Sequence, residues 1–164
     1  PDSQLRTEGN FDYLGDKAHR YALQKVYISL SYKRDMHPGD LLVIYRKGTM
    51  AGRKAYESVV STICVVDEVR YNFSSKEDYF KYCENRTVFD PETLNQLWEK
   101  HRNNLLMVKF IFVKSLTKRI TLGELWDSDI VPRNGGPRPF DHISDADFDT
   151  ILAKSQTKIH FERQ

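Results

Sequence analysis

The stretch from Lys25 to Tyr71, KVYISLSYKRDMHPGDLLVIYRKGTMAGRKAYESVVSTICVVDEVRY, decides the fold because it contains three successive β-strand patterns. In Lys25–Ser31 apolar and polar residues alternate, as in a half-buried strand. Leu41–Tyr45 is a fully apolar strand that follows the turn residues of His37–Asp40. Ala55–Tyr71 is so rich in β-branched residues that it predicts a third, long strand with a bend or bulge.

Helices are predicted downstream, where four capping signals occur. They are the Ser-x-x-Glu pattern Ser74–Glu77 for a helix over residues 75–84, Asp90-Pro91 for the next helix, Thr121–Glu124 for a short helix through Trp126, and Ser144–Asp147 for the last. Other patterns predict a short helix at Tyr13–Gln24, a strand at Leu105–Val113, loops at Gly48–Gly52 and Val131–Phe140, and a strand at Lys158–Glu162 that closes the sheet.

The resulting element order, three strands followed by inserted helices, lacks alternating βαβ units and argues against a doubly wound parallel sheet. It predicts the α+β class, with a small twisted mixed or antiparallel β-barrel and peripheral helices. Eight side chains are expected to lie in one continuous core: Val26, Ile28, Leu41, Val43, Val60, Val65, Phe110 and Phe112.

Composition indicates one globular domain, with 164 residues, 40% of them hydrophobic and 12% aromatic. No apolar run is long enough to span a bilayer and no secretory signal is evident, so a cytoplasmic protein is expected. Cys64 and Cys83 are the only cysteines and are expected to be reduced. The scattered histidines lack ligand spacing, so neither a metal nor a cofactor is predicted. The start at Pro1 indicates a piece of something longer.

Charge is unevenly distributed, although the formal net charge is only +2. Seven basic and two acidic residues occur from Lys25 to Lys54, whereas eight acidic and four basic residues occur from Asp67 to Glu99. Tyrosines lie within the basic segment, and unpaired bases are recognised by aromatic stacking together with cations at phosphates. The basic segment therefore indicates a nucleic-acid-binding surface.

Familiar catalytic motifs are missing: the sequence has no P-loop, dinucleotide fingerprint, HExxH or GxSxG. Lys54 and Glu57 are of types suited to acid–base chemistry, but along a predicted strand an offset of three places them on opposite faces. No catalytic residue is predicted.

Pro38–Arg46, PGDLLVIYR, followed by a glycine loop and by Ser61–Val69, STICVVDEV, resembles the PUA-like superfamily, which includes the PUA, ASCH, EVE and YTH domains. In those domains a Pro-Gly-Asp turn leads into a strand, and the next strand ends in a similar Val-Val-Asp-Glu-Val segment. The resemblance covers roughly Lys25–Leu152, so residues 25–164 are interpreted as the PUA-like domain and residues 1–24 as an N-terminal extension. Such segments, with Arg86–Phe89 after the first inserted helix, resemble C-terminal parts of bacterial acetyltransferase-like or helix-turn-helix proteins, which implies a fused upstream region.

The resemblance implies a pocket for a nucleobase, including a modified one, at the mouth of the barrel, and DNA or RNA as the partner. In the ASCH signature GxKxxExR, Gly52, Lys54 and Glu57 match, but Val59 replaces the arginine. The signature also follows the Gly-Asp strand here instead of preceding it. No ASCH catalytic residue is therefore carried over.

Four residues are predicted to bind the base, because Tyr32 follows the first strand, Tyr45 and Arg46 end the second, and Trp126 leads into the Pro/Gly-rich loop. The residues predicted to contact the nucleic-acid backbone are basic: Lys33, Arg34, Lys47, Arg53, Lys54, Arg133 and Arg138. The alternatives are a regulatory or protein-interaction domain of a larger enzyme or transcription regulator, and a small ASCH-type hydrolase.

Overall fold

The computed structural model describes residues 24–160. The strands are β1 (Gln24–Ser29), β2 (Leu41–Arg46), β3 (Val59–Arg70) and β4 (Leu106–Thr121). The helices are α1 (Lys54–Glu57), α2 (Lys76–Cys83), α3 (Pro91–His101), α4 (Leu122–Asp127) and α5 (Asp145–Lys154). The predicted α+β class is confirmed.

The four strands form one sheet in the order β1-β4-β3-β2. β1 pairs antiparallel with β4 in the register Gln24↔Ile111 to Ser29↔Leu106. Within residues 24–160 the sheet is open, with β1 and β2 at its edges. Lys158–His160 do not form the predicted closing strand, so closure into a barrel stays a prediction. Of the predicted helix Tyr13–Gln24, only Gln24 lies within the described residues, and it begins β1 instead.

The turn His37–Asp40 sets the entry into β2. Its N–H and C=O groups are bonded within the turn, because Asp40 N–H donates to the His37 carbonyl at 3.1 Å and His37 N–H donates to the Asp40 carboxylate at 2.7 Å. Gly39 has φ +94°, a conformation that favours glycine. Gly39 N–H donates to Val66 O, and Val66 N–H donates to Asp40 O, both at 2.8 Å. Two residues thus oppose one residue of β3, as in a G1 β-bulge.

The third strand begins at Val59, four residues later than predicted, because Lys54–Glu57 form the short helix α1. Tyr56 and Glu57 N–H groups both donate to the Arg53 carbonyl at 3.0 Å. Lys54 and Glu57 therefore do not lie on opposite faces of a strand, and that expectation is wrong. Side chains three residues apart in a helix lie on neighbouring positions of its surface.

The fourth strand continues eight residues beyond the predicted end at Val113. Its second half finds backbone partners after α5, since Thr117 N–H donates to Thr157 Oγ1 and Lys118 N–H to the Ser155 carbonyl, both at 2.9 Å. These partners lie about 40 positions along the chain, so no local pattern predicts the extension.

Helix starts follow the predicted caps with one change. Asp90 caps α3 by accepting from Thr93 N–H, and Thr121 and Ser144 head reciprocal capping boxes on α4 and α5. For α2 the cap is Ser75, which accepts from Asp78 N–H, and not Ser74 as predicted.

The described residues divide into two compact units: unit 1 is residues 24–42 with Cys64–Val113, and unit 2 is Val43–Ile63 with residues 114–160. Each unit has its own hydrophobic cluster, so the prediction of one continuous core is wrong.

Among the eight predicted core residues, Val26 is buried in the cluster of unit 1 and Val60 in that of unit 2. Leu41 remains 38% exposed, which contradicts its predicted burial. The other five are partly buried: Ile28, Val43, Val65, Phe110 and Phe112.

Candidate nucleic-acid interface

Unit 2 contains eight of the eleven residues that the sequence predicts for the site. They are Tyr45, Arg46, Lys47, Arg53, Lys54, Trp126, Arg133 and Arg138. The other three, Tyr32, Lys33 and Arg34, belong to unit 1.

The segment Arg46–Lys54, named here the basic loop, joins β2 to α1 and contains four basic residues and no acidic one. Lys47, Arg53 and Lys54 are exposed, and Arg46 is partly buried. Exposed cations without carboxylates in the same segment create a positive local potential that attracts phosphates.

Hydrogen bonds to the last residue of α1 and to the residue after it hold the basic loop in place. Gly48 N–H donates to Ser58 Oγ at 2.9 Å, and Met50 N–H donates to Glu57 Oε2 at 3.2 Å. Ser58 is fully buried, and its carbonyl accepts from Leu122 N–H at 2.8 Å. The only carboxylate between Val43 and Ile63 thus accepts a backbone hydrogen bond that closes the loop.

The Pro/Gly loop, Val131–Phe140, is held by the two predicted aromatic residues of unit 2. Trp126 Nε1 donates to the Gly135 carbonyl at 2.9 Å. The Tyr45 hydroxyl lies 3.6 Å from the position that a Cβ on Gly136 would occupy. Both rings also pack against the hydrophobic cluster of unit 2. Tyr45 and Trp126 therefore meet at the same loop, each partly buried.

The two arginines of the Pro/Gly loop lie at its surface. Arg133 forms an ion pair with Asp127 at 3.1 Å, with both side chains largely exposed. Such an exposed pair contributes little stability, so its cation remains accessible to a phosphate. Arg138 is exposed, and its backbone N–H donates to the Asp141 carboxylate at 2.8 Å.

The predicted residues of unit 1 lie between β1 and β2. Tyr32 is 81% exposed. The Arg34 guanidinium lies 4.8 Å from the centroid of the Tyr71 ring and donates to the carbonyls of Ser31 and Lys33. This arginine is therefore used to hold its own loop against the end of β3.

One exposed aromatic residue was not predicted for the site. Tyr56 on α1 is 79% exposed and lies directly beyond the basic loop. Its position two residues after the basic segment Lys25–Lys54 was the only sequence signal for it. The sequence predicted a strand at Ala55–Tyr71, and a residue in such a strand is expected to be partly buried, so the exposure of the Tyr56 ring was not predicted.

The cysteines are buried in unit 1, and burial raises the pKa of both the Cys64 and the Cys83 thiol to about 12. Both are free thiols. Among residues 24–160, His, Cys, Asp and Glu form no group of three or more that could hold a metal ion.

No helix in the described part of the chain combines the length and the apolar character that crossing a membrane requires.

Comparisons with known proteins leave the family open. No protein-family model matches the sequence, and no curated protein matches it. Among solved structures, the chain matches the crystal structure of human THYN1 in complex with DNA containing 5-methylcytosine. That match has 17% sequence identity and a TM-score of 0.45, and it covers 91% of this chain and 79% of that chain. A likeness of this size does not assign the chain to a family.

Proposed function

We propose that this chain is a cytoplasmic nucleic-acid-binding module of the PUA-like type that contacts its ligand through unit 2. The observation that carries the proposal is the basic loop: four basic residues and no acidic one, on a backbone held by hydrogen bonds from Gly48 and Met50. A fixed loop loses little conformational entropy when its cations bind phosphates. Because the formal net charge of the whole chain is only +2, binding in this proposal depends on the cations concentrated in the basic loop and not on the total charge.

The base-binding part of the proposal is the Pro/Gly loop with Tyr45 and Trp126. Both rings lie at this loop, and Arg46 follows Tyr45 directly in β2. An aromatic face and a hydrogen-bonding backbone are what a pocket for a single nucleobase requires. In this proposal a modified base is the preferred target. The domain is residues 25–164, and its sheet closes into the pseudo-barrel that the PUA-like resemblance implies.

The experiment measures fluorescence anisotropy of labelled DNA and RNA, with and without modified bases, over a range of salt concentrations. The panel includes 5-methylcytosine. Lys54→Ala and Lys47→Ala remove exposed cations of the basic loop. Each is expected to reduce the slope of log K against log salt by about 0.7–0.9, since one phosphate contact is lost. The matched control is Lys81→Ala, an exposed lysine of α2 in unit 1, which changes net charge equally.

The stacking residues are expected to respond differently. Tyr45→Ala is expected to weaken binding by about 1–3 kcal/mol with little change in salt slope. Because Tyr45 also packs against the cluster of unit 2, Tyr45→Phe serves as the variant that retains the ring. The role predicted for Tyr32 is examined separately with Tyr32→Ala. Absence of binding to every oligonucleotide, or equal salt slopes for the Lys54 and Lys81 variants, would refute the proposal.

A further inference from the structure

We infer that Tyr56 is a further base-stacking residue of this surface, and that the ligand it takes is an unpaired nucleotide of single-stranded nucleic acid. The inference rests on the proposed function and narrows it. It names a residue outside the predicted site and excludes the duplex as the preferred ligand.

The position of Tyr56 is fixed by the inward contacts of its neighbours. Ala55 packs against α4. The Ala55 carbonyl oxygen lies 3.3 Å from the position that a Cβ on Gly123 of α4 would occupy. Glu57 accepts from Met50 N–H at 3.2 Å, and the Ser58 carbonyl accepts from Leu122 N–H at 2.8 Å. These contacts anchor α1 on both sides of Tyr56. The ring is thus held on a short rigid helix while 79% of the residue remains exposed.

Two cationic residues lie close to Tyr56 along the chain. Arg53 and Lys54 precede Tyr56 by three and two positions, and both are exposed. Met50, at the tip of the basic loop, is 55% exposed and adds apolar surface to the same segment. A flat aromatic face for a base beside cations for the adjoining phosphates is the arrangement by which proteins bind single strands.

The size of α1 argues for unpaired bases. The helix has four residues, which at about 1.5 Å per residue gives a length of about 6 Å. The major groove of a duplex is read by an α-helix or a two-stranded β-ribbon that enters it, and α1 is only about one turn long. Inside a duplex the base faces are covered by their stacked neighbours, whereas an unpaired base offers its face to a ring such as Tyr56.

The test uses the whole chain and fluorescence anisotropy with labelled oligonucleotides of about 12 nucleotides, a length within known site sizes. The probes are single-stranded DNA, single-stranded RNA of the same sequence, and the matching DNA duplex. We expect tighter binding of a single strand than of the duplex. Tyr56→Ala should weaken single-strand binding by roughly fivefold to a hundredfold and leave duplex binding unchanged. Whichever single strand shows the larger loss identifies the nucleic acid.

Tyr56→Phe is the matched control, because it retains the ring and removes only the hydroxyl. We expect its affinity to remain within about twofold of the wild type, since stacking depends on the π-face. Tyr56→Leu provides a second apolar variant if Tyr56→Ala folds poorly, and it too should lose single-strand affinity. Circular dichroism verifies that each variant is folded.

The outcomes separate this inference from the proposed function. If Lys54→Ala weakens binding while Tyr56→Ala does not, the surface binds nucleic acid but Tyr56 does not stack, and the inference is overturned alone. Tighter binding of the duplex than of either single strand also overturns it alone. If no oligonucleotide binds, both the inference and the proposed function fail.

Discussion

Gly48 of the basic loop lies against Glu57 of α1, and replacing it with alanine should displace both the loop and the helix. A Cβ at this position would lie 2.5 Å from Glu57 Cβ, 3.1 Å from the Glu57 carbonyl carbon and 3.2 Å from Glu57 Oε2. Carbon atoms pack at about 3.5–4.0 Å, so the first contact overlaps by about 1 Å or more. Glu57 Cβ and the backbone carbon cannot rotate away, because α1 holds them.

The expected cost of Gly48→Ala is about 1–3 kcal/mol of unfolding free energy, as for other overpacked sites. A shift of the loop also weakens the hydrogen bond from Gly48 N–H to Ser58 Oγ, which places the expected value in the upper half of that range. Gly48→Asn should be worse than Gly48→Ala, since a larger side chain extends the overlap.

Gly39 is the matched control, because there a Cβ would meet nothing within 4 Å but the backbone has φ +94°. Its replacement by alanine should cost about 1–2 kcal/mol through the backbone alone. Asparagine tolerates this conformation better than alanine does, so Gly39→Asn should be milder than Gly39→Ala. Alanine is thus expected to be the milder substitution at Gly48, and asparagine the milder one at Gly39.

Urea unfolding followed by circular dichroism measures all four variants, with the m-value as the check that the transition is unchanged. Two results would refute the reasoning about Gly48. The first is a Gly48→Ala variant within about 0.5 kcal/mol of the wild type. The second is a Gly48→Asn variant more stable than Gly48→Ala.

The remaining predictions concern unit 1 and the helix caps. Because burial raises the pKa of the Cys64 and Cys83 thiols to about 12, iodoacetamide should modify neither at about pH 8 in the folded protein, and both after denaturation, as read by mass spectrometry. Burial also raises the pKa of Tyr79. A side chain whose pKa is higher in the folded than in the unfolded protein stabilises the fold at pH values below its unfolded pKa. This stability is lost as the pH rises through its folded pKa, so urea midpoints should fall above about pH 9. A midpoint that stays constant to pH 11 would contradict this. Thr121→Ala should cost about 0.5–2 kcal/mol by removing the cap of α4, and Ser144→Ala, which removes the cap of α5, provides the comparison in the same unfolding assay.

Local signals in the sequence determined much of the secondary structure. The turn at His37–Asp40 and the caps Asp90, Thr121 and Ser144 lie where they were predicted. In each case the interacting groups are within three residues of one another, so the pattern contains both partners. The α+β class followed from the order of these elements.

The residue types of the candidate interface could also be predicted from the sequence, because cations and aromatic residues concentrated in one segment form a compositional signal. Their surroundings were not. Sequence placed Trp126 near the Pro/Gly loop, but the hydrogen bond from its ring to Gly135 depends on how that loop folds back. The exposure of Tyr56 likewise depends on α1, which replaced a predicted strand.

Only the tertiary structure decided these features, because their partners are distant along the chain. Ser58 Oγ accepts from Gly48 N–H ten positions earlier, and Thr157 Oγ1 accepts from Thr117 N–H forty positions earlier. The first contact holds the basic loop against the residue that follows α1, and the second contributes to the extension of β4 beyond its apolar pattern. The division of buried side chains into two clusters has the same origin. The alternation of apolar and polar residues along a strand predicts which side chains are buried, but the neighbouring elements decide which cluster each side chain joins.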